Sequence, residues 1–412
     1  MSQQHHQLHD QLKATLTRRE EIAKLRRLVV NPPTAIDFSS NDFLGLTQNS
    51  ILRERYLNEL QQLDRVLGST GSRLLDGNSQ YAIDLETKIA TFHGAETALL
   101  FNSGFDANAG FFATVPQKGD IIIYDELIHA SVHEGMRMSR AARCIPFKHS
   151  DVNDLNRILM DLGETTNNVF VALETVYSMD GDVAPLPQIV ATLKKYWPNR
   201  ENGHIVVDEA HSTGVYGNNG RGVVAHFGLE DEIFARLHTF GKALASNGAV
   251  ILGSNILREY LINYARPLIY STFMSFSSLA SIKCAYDMLA SGETIPIQEH
   301  VHLLTRRFRE TIYLPMGTLL PSDSPIQGIV LNGNAPVRSL AKYLNNQGFI
   351  VKPICSPTVP KGQERVRICL HGHNTFEQVD ALVAAVHTFF NVKVPTGGIH
   401  PPSSSSLESA KL

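Results

Sequence analysis

A hydrophobic run that ends in an acid, His204-Ile205-Val206-Val207-Asp208, is followed 34 residues later by a lysine in the stretch Thr239-Phe240-Gly241-Lys242-Ala243. An acid at the C-terminal end of an apolar strand stands where open α/β sheets bind their ligands. Around Lys242, the small residues Gly241, Ala243, Ala245 and Ser246 leave room for a flat molecule and let the backbone come close to it. A lysine stripped of part of its water has a lowered pKa and can act as a Schiff-base former and general base. The pair therefore suits chemistry in which the lysine holds an aldehyde covalently and the acid keeps a heterocyclic nitrogen protonated. Taken singly, Lys242 reads as a solvated loop residue and Asp208 as a turn or cap residue; their order and setting carry the sharper reading.

Short apolar segments alternate with helical ones on both sides of this pair. Strands are predicted at Ala98–Phe101, Asp120–Tyr124, Arg143–Phe147, Val169–Glu174, Ile205–Asp208, Phe234–Thr239 and Gly248–Leu252, and helices at 105–114, 131–138, 151–162 and 187–196. Such alternation predicts an α/β fold with a large, mostly parallel seven-stranded sheet. The segment 8–28 reads as a helix with a basic side (Arg18, Arg19, Arg26, Arg27), and 276–313 as one long helix. The order strand, helix, strand, strand, helix over 326–390 predicts a small C-terminal α/β domain. The expected divisions are 1–45 (N-terminal helix and arm), 46–290 (large domain), 291–392 (small domain) and 393–412, a Pro-, Gly- and Ser-rich tail expected to be disordered.

Bulk properties exclude some classes. Lys and Arg total 37 against 40 Asp and Glu, a net charge of −3, which argues against nucleic-acid binding as the main business. No apolar run approaches the roughly 20 residues of a membrane span, and Met1-Ser2-Gln3-Gln4-His5-His6 lacks the charged-then-apolar pattern of a secretory signal. Cys144, Cys284, Cys355 and Cys369 show no CxxC spacing, which suits a reducing compartment.

Other candidate parts each have a plain reading beside the chemical one. The string Asp208-Glu209-Ala210-His211 matches a helicase box, but that box requires an upstream GxxxxGK[ST] phosphate loop and the chain has none. Phe101-Asn102-Ser103-Gly104-Phe105 joins a strand end to a helix start, where backbone N–H groups and the Ser103 hydroxyl make an anion cradle; the plain reading is a capped helix. Gly217-Asn218-Asn219-Gly220-Arg221-Gly222 has the order GxxGxG and reads as a turn. His129 and Ser178 each lie just past a strand, His129 being either a ring-stacking or a helix-capping residue. His371, His373, His5, His6 and His9 lack partner ligands at metal spacing, so no metal site is expected.

Taken in order, Asn41-Asp42-Phe43-Leu44-Gly45-Leu46, Asn102-Ser103-Gly104-Phe105, His129-Ala130-Ser131, Tyr177-Ser178-Met179-Asp180-Gly181, Val207-Asp208-Glu209-Ala210-His211, Thr239-Phe240-Gly241-Lys242 and Tyr270-Ser271-Thr272 resemble the α-oxoamine synthases over residues 10 to 390. That family has the pyridoxal 5′-phosphate (PLP)-dependent transferase fold type I and joins an amino acid to an acyl-CoA with loss of CO₂. The resemblance implies that Lys242 holds PLP as a Schiff base, Asp208 pairs with the ring nitrogen and His129 stacks on the ring. It places Ser178 and His211 at the phenolic oxygen, and Ser103, Gly104, Phe105 and Thr239 around the phosphate. Ser271 and Thr272 would reach that phosphate from the second subunit of a homodimer. Arg367 would clamp the amino-acid carboxylate, Asn41 would help to hold substrate, and Arg26 is the candidate for a distal carboxylate.

Ser324-Pro325-Ile326-Gln327, Ser356-Pro357-Thr358-Val359-Pro360 running into Arg365-Val366-Arg367, and Leu16-Thr17-Arg18-Arg19 with Leu25-Arg26-Arg27 narrow the likeness to a branch that uses L-alanine and pimeloyl-CoA. A glycine- or serine-using branch is the alternative, and a non-catalytic scaffold subunit is disfavoured because Lys242 is present. Asp106 stands where relatives carry a small or apolar residue, and it is expected to face away from the phosphate. The C-terminal Ala410-Lys411-Leu412 is similar to a peroxisomal address read by an import receptor, with a cytoplasmic location as the alternative.

Overall fold

The computed structural model describes residues 3–392 other than Ala23 and Arg200, so the tail with its C-terminal tripeptide lies outside the described residues. The large sheet has seven strands: β1 (Thr97–Phe101), β2 (Ile121–Asp125), β3 (Arg143–Phe147), β4 (Val169–Glu174), β5 (Gly203–Asp208), β6 (Ala235–Thr239) and β7 (Ala249–Gly253). Their order across the sheet is β1-β7-β6-β5-β4-β2-β3. Only β7 runs antiparallel to its neighbours β1 and β6. Each of the seven strands falls within two residues of its predicted span, because unbroken runs such as Ile121-Ile122-Ile123 and Val169-Phe170-Val171 suit strands buried on both faces.

The strand period of two separates those runs between two cores. Ile121, Ile123, Val171, Leu173, Ile205 and Val207 pack on one face, while Ile122, Phe170, Ala172, Val206, Leu237 and Ile251 pack on the other. Helices at Gly104–Thr114, Ala130–Met138, Val152–Leu162 and Leu186–Tyr196 connect the strands. Asp151 caps one of them, its side chain accepting from Asn153 N and Asp154 N.

The small domain holds β8 (Ile326–Val330), β9 (Lys352–Ile354) and β10 (Arg365–Cys369), in the antiparallel order β9-β10-β8. Helices Asn334–Asn346 and Phe376–Phe390 cover it. Val366 and Ile368 of β10 point into its core beside Leu340 and Leu382, so Arg365 and Arg367 face the opposite way. The arm enters here too: Ile36 and Asp37 pair in parallel with Phe349 and Ile350, and Phe38 is buried in the same core. This pairing fixes the path of the residues that follow, Asn41 among them.

Two helical expectations need correction. The stretch 276–313 is two helices, Phe276–Ala290 and Ile295–Thr311. Gly292 takes φ +80° between them and Pro296 opens the second, a stop and a start that the apolar periodicity concealed. The first helix spans Gln3–Glu21 instead of 8–28, leaving Arg26 and Arg27 in irregular chain. Gly217–Gly222 forms a turn with a single helical turn at Asn218–Gly220. No helix among the described residues is long and apolar enough to cross a membrane.

Candidate active site

Parallel strands deliver their C-terminal ends to one edge of the sheet. Because β7 is antiparallel to both neighbours, β1 and β6 also run in the common direction, and β1, β2, β4, β5 and β6 all end at that edge. The residues that leave it are Ser103–Phe105, His129, Ser178, Asp208–His211 and Lys242. The topology thus gathers candidates that are far apart in sequence into one crevice.

Lys242 lies in the loop from β6 to β7, which closes on itself through Phe240 N to Gly248 O (2.9 Å) and Ser246 N to Phe240 O (2.8 Å). Its Nζ is 2.8 Å from His211 Nε2. Burial pushes the Lys242 amine down to about 8, opposed first by the charge of Asp208. Burial, then the charges of Lys242 and Arg367, hold the His211 imidazole well below its usual pKa. A neutral His211 accepts at Nε2 from Lys242 and carries its hydrogen on Nδ1, which is buried without a protein partner.

Asp208 is 7% exposed and closes β5. Its Oδ2 accepts from Asn108 Nδ2 at 2.8 Å and its Oδ1 from Ala210 N at 2.9 Å. The other Asn108 amide hydrogen goes to Ser131 Oγ at 3.0 Å, and that hydroxyl donates to His129 Nδ1 at 2.7 Å. His129 Nδ1 also accepts from Ser131 N, so His129 is the helix cap of its plain reading and a wall of the crevice as well. Burial lowers the His129 pKa, aided by Lys242 and opposed by Asp208. With Nδ1 an acceptor, the ring hydrogen of neutral His129 sits on Nε2.

Asn108 and Ser131 were missed in the sequence. Their signal was the polar side chain inside Ala107-Asn108-Ala109-Gly110-Phe111-Phe112, since a buried amide must find partners. Glu174 was missed too. It ends β4 in register with Asp208, is 3% exposed, and its Oε1 has no partner.

The candidate anion cradle lies where a helix start meets the end of a strand. A Cβ on Gly104 would stand 3.5 Å from Thr239 Oγ1, so the start of the helix Gly104–Thr114 abuts the end of β6. Phe105 is partly exposed beside it. Asp106 lies against Ser103 at this helix start. Ser103 Oγ accepts from Asp106 N at 3.0 Å and donates to the Asp106 carboxylate at 2.8 Å. The carboxylate folds back because the first turn of a helix attracts negative charge and offers the hydroxyl as a donor. Ser271 and Thr272 stay at the surface, where Thr272 O accepts from Asn102 Nδ2 at 2.7 Å.

On the small-domain side, Arg367 Nη2 donates to Asn41 Oδ1 at 2.9 Å, joining two substrate candidates 326 residues apart. Arg367 Nε has no protein partner. Arg365, by contrast, is committed to Asp180 and to the carbonyls of Met179 (3.3 Å) and Gln363 (2.9 Å). A cavity of about 630 Å³ opens beside the crevice, lined by His129, Ser178, Arg26, Thr358 and Val359 among others.

Free polar atoms around Lys242 (Glu174 Oε1, His211 Nδ1, Arg367 Nε) and the Gly104–Thr239 approach fit PLP: an amine, an anchored acid and an anion cradle at its three ends. A separate cluster, His149, Asp180 and Asp182, has ligand-like spacing. His149 already holds Asp125 Oδ1 and Asp182 Oδ2, each at 3.0 Å. Burial opposes its charge, but those two carboxylates win and push its pKa up to about 10, which makes His149 the cation of an ion pair with both.

The chain is similar to known proteins over most of its length. Residues 33–386 match the family model described as aminotransferase class I and II. An 8-amino-7-oxononanoate synthase of Emericella nidulans is 48% identical over 399 residues, 93% of this chain and 96% of the relative. A serine palmitoyltransferase from S. paucimobilis, solved with a bound PLP–myriocin aldimine, superposes with a TM-score of 0.79 at 25% identity, covering 92% of this chain and 96% of that one. An 8-amino-7-oxononanoate synthase from Francisella tularensis gives a TM-score of 0.71 at 27% identity, over 87% and 99% of the two chains.

Proposed function

Because the chain belongs to the aminotransferase class I and II family, as one of its PLP-dependent α-oxoamine synthases, we propose that it condenses L-alanine with pimeloyl-CoA, releasing CoA and CO₂, to form 8-amino-7-oxononanoate. The observation that carries this reading is the Lys242 amine set between Asp208 and His211, with the free edge of Arg367 turned toward the same crevice.

PLP, when bound, supplies an electron sink for the negative charge that develops at the amino-acid α-carbon. Lys242 would hold it at Nζ and serve as the base for the α-proton; an amine with a pKa of about 8 is suited to accept and return a proton near neutrality. Asp208, held by Asn108 and Ala210 N, would keep the ring nitrogen protonated. His129 would pack against the ring, and His211 would offer Nδ1–H to its oxygen side, with Ser178 nearby. Ser103, Gly104, Phe105 and Thr239 would receive the phosphate, with Ser271 and Thr272 of a second copy assisting.

Arg367 binds the alanine carboxylate through its free Nε, while its bond to Asn41 sets the fork. Arg26, on the wall of the neighbouring cavity, receives the distal carboxylate of the acyl chain. Exposed apolar residues (Leu28, Val30, Leu67, Leu75, Tyr270) support assembly as a homodimer. The Ala410-Lys411-Leu412 ending supports delivery to peroxisomes by an import receptor.

Purified protein with PLP, L-alanine and pimeloyl-CoA should release free thiol, with glycine, serine and monocarboxylic acyl-CoAs as poorer substrates. Faster turnover with serine and a long-chain acyl-CoA would transfer the chain to the other branch.

A further inference from the structure

Two carboxylates stand side by side at the bottom of the crevice. Glu174 and Asp208 are register partners at the ends of adjacent parallel strands, so their side chains leave the sheet on the same face, and they are 3% and 7% exposed. Like charges so close and so dry cannot both be carried cheaply. Hydrogen bonding decides which keeps the charge.

Asp208 receives one well-formed donor on each oxygen, Asn108 Nδ2 at 2.8 Å and Ala210 N at 2.9 Å. Glu174 receives only Ser178 N at 3.3 Å on Oε2, and nothing on Oε1. The charged groups that face Glu174 are Asp208 from β5, Asp125 from the end of β2 and Lys242 from the loop after β6. Burial first, and the Asp208 charge second, drive its carboxyl well above the usual range, and Lys242 offsets this only in part. Oε1 then carries a hydrogen for which the protein supplies no acceptor.

We propose that Glu174 stands in the site as a neutral carboxylic acid, leaving Asp208 the single charge of the pair, and that its hydroxyl donates a hydrogen bond to an acceptor atom of the bound cofactor. This rests on the PLP reading given above. It adds a donor to the site whose proton never has to leave for the site to work.

The test compares Glu174→Gln, which keeps shape and donor, with Glu174→Ala and the unaltered protein. The infrared difference spectrum between unaltered and Glu174→Gln apoprotein at neutral pH should contain the C=O stretch of a protonated carboxyl; a carboxylate band alone would overturn the proposal. On adding PLP, Glu174→Gln should bind within about threefold of the unaltered protein, while Glu174→Ala should bind about tenfold more weakly, the loss of one buried donor. Equal affinity in Glu174→Ala would remove the donor role. The visible band of the Lys242 Schiff base should titrate at the same pH in the Gln variant; a downward shift of about one unit would mean that an anion had been removed and Glu174 was ionised. If the unaltered protein took up no PLP, the functional reading would fall, while the infrared result would still decide the state of Glu174.

Discussion

The Nζ of Lys242 lies 2.8 Å from Nε2 of His211, on the loop that follows the neighbouring strand. Neither group can hold a proton as it would in water, since burial lowers both. The contact therefore keeps the amine oriented while leaving it easy to deprotonate, which an amine that must attack a carbonyl requires.

Capture of PLP by the apoprotein depends on that neutral amine. The rate constant should rise about tenfold per pH unit below pH 8 and level off above it, following the Lys242 pKa of about 8. Stopped-flow absorbance of Schiff-base formation measures it; a rate still climbing at pH 10 would show that the amine retains its solution basicity.

Lys242→Ala should lose colour and at least about 10³-fold in turnover, because covalent anchor and base vanish together. Thiol release and borohydride trapping are the two readouts.

Asn108→Leu removes the donor that anchors Asp208 and positions Ser131 under His129. Leaving a buried carboxylate one bond short costs about 1–3 kcal/mol, so PLP affinity should fall roughly ten- to hundredfold. Normal circular dichroism with this loss would assign the effect to the site and not to folding.

Arg367→Lys keeps the charge but loses the fork shared between Asn41 and the substrate carboxylate. The KM for L-alanine should rise by on the order of tenfold or more while that for the acyl-CoA changes little. Asn41→Ala should move the same parameter less.

His149 between Asp125 and Asp182 ties the end of β2 to the segment after β4. Its folded pKa, about 10, lies above the ordinary 6.5 of an unfolded histidine, so its stabilisation is complete below pH 6.5 and is lost as pH rises through 10. His149→Gln should therefore lower Tm clearly at pH 6 and hardly at pH 10.

Several of these relationships were readable in the chain. Strand runs such as Ile121–Ile123 are short, apolar and β-branched, and the edge that collects their ends follows from parallel order. Asp208 announced itself because it closes such a run, and Lys242 because small residues surround it just past the next strand. The break at Gly292 and the end of the first helix at Glu21 were hidden, since helical periodicity continues across both. The contact between Asp106 and the Ser103 hydroxyl was not legible, because it depends on how the helix start folds.

By itself, the sequence determined the sheet, the crevice at its edge and the identity of the acid and the amine, because these depend on local pattern and on strand direction. Only the tertiary structure decided which side chains share hydrogens there: Asn108 with Asp208, Asn41 with Arg367, and Glu174 with none at Oε1. Protonation is settled by burial and by donors that arrive from other strands and helices, and no window of contiguous residues contains them.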